Sequence, residues 1–479
     1  MKSFIFLLVS VTFSFEIDDG KVKGSIIYNR TGNSTGWNFL QISLESIEND
    51  EDVFAAAGRF EGEESREEIY NAYRNYVYGL QGGRHFLPKS LQRYVHNQYN
   101  WLKEQSQTQN TSYWRMVKYL LIQLENMYEG YNYHYGKTEK ALSFDQFYFL
   151  SNMGDLQDLW PSVGEVQTQG IGNCNSFYKP GIMAHTTFNV YQTMLRIYKS
   201  YNFKLKDKDV VNQHLSFTAR PGDLESKDDF FVLWDTQMVV TETSFNNYNK
   251  ENYEYFHYDS VPCWIRVNIA SRLAKNPKEW MDIFGLHRSG THNNQWVVTD
   301  YNKVYMGEEA FFIYKVHDLT NTLLNSQGYV ASYNVPLDQE IFDSLKYPNT
   351  TSYNDDVRAK QFRMYQGNLR TVREIGRLLR YNKVTDDFDI CDGAICPRCD
   401  LVNENEYPFG GIDGKVISQD MIKVKKVHLI SSPSYQEHQM FNWKAFPNIP
   451  HYGMTDKWSF PWYELDETNF TIKELYQDY

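Results

Sequence analysis

Cys174 stands where a nucleophile would be expected. It follows Gln169-Gly170-Ile171-Gly172-Asn173 and precedes Asn175-Ser176-Phe177-Tyr178. Lys179-Pro180-Gly181 has the composition of a tight turn, and a short apolar run, Ile182-Met183-Ala184, leads to His185. The stretch predicts a β-hairpin in which Cys174 opens the first strand and His185 closes the second, with thiol and imidazole as neighbours. A thiol attacks as its thiolate, which an adjacent base or cation favours. A cysteine behind glycines fits one chemistry in particular. It attacks its own preceding peptide bond, and the freed α-amino group then acts as general base. Such a group titrates at about pH 7.7–8.0, so it accepts a proton near neutrality. Glycine permits the strained backbone that the cut requires. The competing reading makes Cys174 a small buried residue beside a loop, as lone cysteines usually are.

The elements that must position this hairpin mix strands and helices. Weak alternation predicts strands at residues 24–28 and 37–42. The acidic run 61–68 reads as a solvated helix start, with Ser65 and Glu68 at capping-box spacing and Ile69, Tyr73, Tyr76 and Leu80 on one face. Trp114, Val117, Leu120, Leu121, Leu124 and Tyr128 repeat at helical spacing as a core stripe, with Gly130 as its stop. Another helix spans 143–160, closed by Trp160-Pro161. After the hairpin, 191–201 reads as a helix lined by Tyr191, Met194, Leu195 and Tyr198. Residues 228–243 read as strand, turn and strand. Helices follow at 264–274 and 279–284, then strands at 295–301 and 310–316, and a long amphipathic helix at 363–379. Without a strict βαβ rhythm, this mixture indicates an α+β fold of packed antiparallel sheets with helices outside.

The 479 residues hold 42% apolar and 16% aromatic side chains, enough for a large core. A net charge of −12 with no basic stripe excludes nucleic acid as the natural partner. Met1-Lys2 followed by an apolar run to Phe15 reads as a secretory signal, too short for a membrane anchor. No later stretch is apolar enough to span a bilayer, so no transmembrane anchor is expected. Sequons at Asn29, Asn33, Asn110, Asn349 and Asn469 agree with a secreted or lysosomal route. The five cysteines include Cys396-Pro397-Arg398-Cys399. That pair has the spacing of a disulfide, a redox pair or half a zinc site. With no second such pair and no histidine cluster nearby, zinc is disfavoured, and an oxidising compartment favours a local disulfide. Cys263 and Cys391 are left unassigned. There is no Gly-x-Ser-x-Gly elbow, no His-Glu-x-x-His and no P-loop, which disfavours a serine lipase, a zinc hydrolase and a kinase. No cofactor or metal is called for.

Several blocks in order resemble the phospholipase B-like family, a branch of the N-terminal nucleophile hydrolases. They are Gly172-Asn173-Cys174, Ala184-His185-Thr186-Thr187-Phe188, residues 191–197, Val240-Thr241-Glu242-Thr243-Ser244, Ser289-Gly290-Thr291-His292-Asn293-Asn294-Gln295-Trp296, Ala331-Ser332-Tyr333-Asn334-Val335-Pro336, residues 410–416 and Trp458-Ser459-Phe460-Pro461. The resemblance implies a four-layer αββα sandwich and self-cleavage at Asn173–Cys174. Residues 1–15 are then the signal, 16–173 a largely helical N-terminal fragment, released or retained, and 174–479 the fragment with the nucleophile. It implies catalytic roles for Cys174, His185, Ser244, Asn334 and Arg358, and the Cys396–Cys399 pairing. Asn293, Asn294 and Trp296 line a pocket or tie a turn, and Phe188 forms a pocket wall. Asn175, Phe188 and His292 depart from the family's usual Ser, Trp and Tyr. The implied activity is removal of acyl chains from phospholipids through a cysteine acyl-enzyme. The alternatives are an N-acyl amide hydrolase of the same fold and a glycosylated, non-catalytic binding protein. A homodimer is left open.

Overall fold

A computed structural model describes residues 11–79, 81–163, 174–225, 229–383, 389–391, 393–402 and 408–478. The segment where the sequence leads us to expect self-cleavage, through Gly172-Asn173, most of the apolar leader, Leu80 and residue 228 lie outside them. The chain opens with β1 (Val11–Asp18), β2 (Val22–Arg30) and β3 (Trp37–Ser46). Helices from Asp50 to Ser162 follow. Then come β4 (Cys174–Lys179), β5 (Ile182–Val190), β6 (Arg196–Lys204), β7 (His214–Ala219), β8 (Phe230–Leu233) and β9 (Met238–Ser244). Helices Cys263–Leu273 and Pro277–Phe284 precede β10 (Asn294–Thr299), β11 (Val304–Ala310), β12 (Ile313–Asp318) and β13 (Val330–Ser332). Helices Gln339–Ser344, Val357–Tyr365 and Val372–Leu379 lead to β14 (Phe409–Gly411), β15 (Asp413–Ser418) and β16 (Lys426–Ser431). The short pair β17 (Phe441–Asn442) and β18 (Lys457–Trp458) and then β19 (Trp462–Asp466) and β20 (Thr471–Tyr476) complete the strands among the described residues.

The fold is α+β, built on two large sheets. One has strand order β1-β2-β3-β6-β7-β8-β9-β10-β11-β12, the other β13-β4-β5-β15-β16-β19-β20, with β14 beside β5. Pairing is antiparallel except between β3 and β6, where Trp37 lies opposite Arg196 and Glu45 opposite Lys204. Alternate residues of each strand face opposite ways, so each sheet supplies two cores. Leu40, Ile42, Ile197 and Val240 of the first sheet pack with Val53, Trp114, Leu121 and Trp264 of the helices. Phe177, Ala184 and Val416 of the second sheet pack with Phe362, Ile375 and Leu379. Between the sheets, Phe39, Tyr198, Val239 and Val297 meet Tyr178, Met183, Ile417 and Leu429.

Several sequence expectations change for physical reasons. Residues 191–201 are not a helix but a 3₁₀ turn, Tyr191–Thr193, followed by β6. Because β6 is buried on both faces, it lacks the polar alternation that would mark a strand. The 363–379 helix is two helices, since Thr371 starts a new one with a capping box to Glu374. The 143–160 helix breaks at Asn152 into Phe144–Ser151 and Met153–Ser162. The 310–316 strand is the end of β11 and most of β12. The acidic run is not simply a solvated start. Glu61 to Glu64 end the helix Asp50–Glu64, Ser65 caps that end, and Glu61 is fully buried against Lys199 at 2.5 Å. Asn29 is buried in β2, whereas Asn33, Asn110, Asn349 and Asn469 are exposed.

Gly130 does not stop its helix, which runs from Ser112 to Tyr135. It serves a close crossing with the helix Asp50–Glu64. A Cβ at Gly130 would stand 2.2 Å from the Arg59 carbonyl oxygen, and one at Gly62 would stand 2.0 Å from that of Met127. No side chain fits between the two backbones. Gly62→Ala should therefore force the helices apart and destabilise the protein by about 1–3 kcal/mol, read as a lowered Tm. An unchanged Tm would mean that the crossing yields freely.

Candidate active site

The hairpin is present as β4 and β5. Pro180 and Gly181 form its two-residue turn, and Gly181 adopts φ +84°, which any side chain would strain. Cys174 lies opposite Thr187, while His185 lies opposite Ser176, two pairs further along. Thiol and imidazole thus share a face without being the directly paired residues that the sequence led us to expect. Both are buried, as are all residues of the two strands.

Three expected residues converge on Cys174. Its backbone N–H donates to Asn334 Oδ1 at 3.2 Å. Arg358 Nη1 donates to the same oxygen at 2.8 Å, to the Cys174 carbonyl at 3.3 Å and to Asn175 Oδ1 at 3.2 Å. Arg358 Nη2 donates to the Tyr333 carbonyl. Asn334 Nδ2 donates to the Ser244 carbonyl at 2.7 Å. Two donors at Oδ1 and one acceptor at Nδ2 fix the orientation of this amide. Asn334 reaches the site from left-handed backbone at φ 68°, which asparagine tolerates, and Tyr347 Oη pins its carbonyl at 2.7 Å. Arg358 enters from the first turn of helix Val357–Tyr365, where Asp356 caps its own amide at 2.8 Å. Ser244 takes part through its backbone carbonyl. Asn175, the departure beside Cys174, holds Arg358 with its oxygen and the Ile395 carbonyl with its nitrogen at 2.6 Å. Phe188 lies 5.9 Å from the Arg358 guanidinium carbon, as a wall beside that charge.

His185 Nε2 lies 2.7 Å from the Glu242 carbonyl oxygen. A carbonyl only accepts, so Nε2 carries the hydrogen and Nδ1 keeps its lone pair. Burial first, then Lys415, hold the imidazole well below its ordinary pKa, so the ring is neutral. Burial also pushes the Cys174 thiol well above its ordinary pKa. The carboxylates of Glu242 and Asp229 add to this, and Lys415 opposes it.

Other expected residues lie apart. Asn293 is absorbed by the turn before β10, donating to Asp158 Oδ2 at 2.8 Å and accepting from the Phe311 amide at 2.5 Å. Asn294 donates to Cys263 Sγ at 3.7 Å. Trp296 packs on Trp280 and Phe284 in the helical core, its ring directed away from the hairpin. These positions tie and fill rather than line a pocket. The disulfide joins Cys391 to Cys399, not Cys396 to Cys399. Cys396 remains a buried thiol, 3.8 Å from Arg380 Nη1. Glu225, Cys263 and His292, and likewise Asp229, Glu242 and His292, bring potential metal-ligating atoms within 4.8 Å of one another. All five side chains are engaged within the protein, and the influence of Glu242 and Asp229 on Cys174 is electrostatic.

The sequence reading assigned no role to Arg196, Asp413 or Lys415. Asp413 pairs with Lys415 Nζ at 2.8 Å and with Arg196 Nη1 at 2.6 Å, all fully buried. Asp413 Oδ1 accepts the Thr187 amide at 2.9 Å. The readable signal was opposite charge at i and i+2 in a strand, which places both groups on one face. Lys415 first, then Arg196, hold the Asp413 carboxyl well below the usual carboxylate range. Asp413→Asn leaves two buried cations without their anion and should cost about 3–5 kcal/mol at neutral pH. Because the folded pKa is depressed, this stability is fully present above the unfolded value of about 3.9 and is lost only as the pH falls through that region. Melts of the two proteins should therefore differ equally at pH 7 and pH 5 and converge only below about pH 4. Convergence already at pH 5 would contradict the depressed carboxyl.

Known proteins are similar to this chain over most of its length. The sequence profile of the Phospholipase B family matches residues 25–465. Phospholipase B-like 1 of Rattus norvegicus is 31% identical over 475 residues, covering 90% of this chain and 86% of that protein. Phospholipase B-like protein D of Dictyostelium discoideum is 29% identical, covering 95% and 90%. Phospholipase B-like 1 of Homo sapiens is 30% identical, covering 90% and 85%. With the match extending from β2 to β19 and taking in the hairpin, Asn334 and Arg358, the chain belongs to the phospholipase B family.

Proposed function

We propose that this protein is a cysteine N-terminal nucleophile hydrolase that removes acyl chains from glycerophospholipids. The observation that carries the reading is the Cys174 amide on Asn334 Oδ1, with Arg358 bonded to both residues. In self-cleavage the thiol attacks the Asn173 carbonyl, the peptide C–N bond breaks, and water hydrolyses the resulting thioester. The Cys174 nitrogen then becomes an α-amino group already placed against an acceptor. In turnover that amine takes the thiol proton, sulfur bonds the acyl carbon, and the acyl–oxygen bond breaks with the proton passing to the leaving alkoxide. Water then releases the fatty acid and restores the thiol. His185, neutral and held by Glu242, supplies a polar lone pair beside the reaction. The Arg358 guanidinium steadies negative charge developing near Cys174. The two facing sheets with helices on their outer sides support the αββα reading.

The same reading includes a secreted or lysosomal route. β1 is an edge strand whose described side chains are exposed or half-buried, so loss of residues 1–15 leaves the core intact. No helix among the described residues is long and apolar enough to cross a membrane.

The expected outcome is a fragment beginning at Cys174 in the wild type and an uncut chain in Cys174→Ala, read by N-terminal sequencing. Because β3 is hydrogen-bonded between β2 and β6, the two fragments should co-elute in native gel filtration and separate only in denaturant. The processed protein should then release fatty acid from phosphatidylcholine vesicles. Release from an N-acyl amide alone would replace the ester substrate by an amide. An uncut wild type after incubation at pH 5 would sink the mechanism and leave a binding protein.

A further inference from the structure

We propose that Lys415 is a positioning residue of this site: a buried ammonium, locked between Asp413 and Thr187, that stabilises negative charge on the Cys174 sulfur. The proposal rests on the reading of Cys174 as nucleophile.

The argument begins with register. Thr187 is the residue directly opposite Cys174. Lys415 Nζ donates to Thr187 Oγ1 at 2.7 Å and to both Asp413 oxygens at 2.8 Å. Asp413 is itself immobilised. Its carboxylate accepts the Thr187 amide and pairs with Arg196, and its carbonyl accepts Thr186 Oγ1 at 2.6 Å and Arg380 Nη1 at 3.1 Å. The ammonium is thus a fixed point charge reaching across β5 toward the strand that starts with Cys174. Lysine suits this task better than arginine, being compact and able to direct its donors around one centre.

Charge counting sharpens the assignment. Lys415 of the second sheet and Arg196 of β6 in the first both pair with Asp413, two cations on one carboxylate. Against them stand Glu242 on β9 and Asp229, both grouped with His292. His185 on β5 is neutral. Arg358, from helix Val357–Tyr365, directs its donors at the Cys174 and Tyr333 carbonyls and at Asn175 and Asn334. Burial first, then Glu242 and Asp229, push the Cys174 thiol up, and Lys415 is the cation that opposes them there.

The test uses the full chain as expressed, with Lys415→Met, Lys415→Arg and Thr187→Val, each checked by thermal melt. Iodoacetamide labelling of Cys174 is followed against pH by peptide mass spectrometry, which keeps Cys263 and Cys396 separate. Lys415→Met should move the labelling midpoint up by about one pH unit or more, or about tenfold slower labelling below both midpoints. Lys415→Arg should restore most of the shift. Thr187→Val is isosteric and keeps the ion pair, so it should move the midpoint less but in the same direction. Equal midpoints in the wild type and folded Lys415→Met would overturn the proposal. If that variant does not fold, an unmoved midpoint in Thr187→Val overturns it. A wild type with no fragment starting at Cys174 defeats the nucleophile reading instead, while the labelling comparison still decides the electrostatic role of Lys415.

Discussion

A sheet buried on both faces has no water with which to satisfy its polar side chains, and this constraint organises the second sheet. Away from that site the two sheets meet mainly through apolar and aromatic side chains, among them Phe39, Tyr198, Met183 and Leu429. Around the first residue of β4 the seam turns polar, and its side chains find partners across it or along it. Ser176 Oγ bonds Thr241 Oγ1 at 2.6 Å, Ser332 bonds Thr243, and His185 bonds the Glu242 carbonyl. Asp413 sits between two cations. These contacts leave Cys174 in a buried and strongly charged setting. In such a low-dielectric place, one fixed ammonium has far more influence than the same group would have in water.

The family's usual residues are not the only way to build this setting. Asn175, beside Cys174, grips Arg358 and the Ile395 carbonyl, a task its amide performs with both ends. Phe188 offers its ring to the same guanidinium. His292 adopts left-handed backbone at φ 55°, which histidine accepts more readily than bulkier residues, and places its imidazole beside Glu242 at 3.7 Å. Each departure has a physical place in the fold, and none breaks the link from Arg358 through Asn334 to Cys174.

The hairpin was legible because its turn chemistry is local: proline then glycine between two apolar runs needs no distant partner. Asn334 and Arg358 were legible only through resemblance. One owes its role to a left-handed kink and the other to a helix start, 160 and 184 residues beyond Cys174. β6 was misread because burial on both faces erases the alternation that marks a strand. The Cys391–Cys399 bond was missed because the Cys396 thiol is buried against Gly411 and Arg380 instead, a tertiary fact invisible in the spacing. Asp413 and Lys415 received no role from the sequence. Their weight comes from Thr187 on the neighbouring strand, and register is the part of a sheet that a single sequence specifies least.

The parallel pairing of β3 with β6 has a further consequence. It is formed by residues on either side of the segment proposed to be cut, and it places β3 in the interior of the first sheet. In the uncut chain, bringing those strands together is a loop closure whose entropic cost grows only slowly with length. In a cut chain the same step becomes an encounter between two molecules, dependent on their concentration. The uncut chain would then carry the folding instructions, and the processed protein would be a product that persists mainly because it unfolds slowly. Its lifetime would be set by the height of a barrier rather than by the depth of a well.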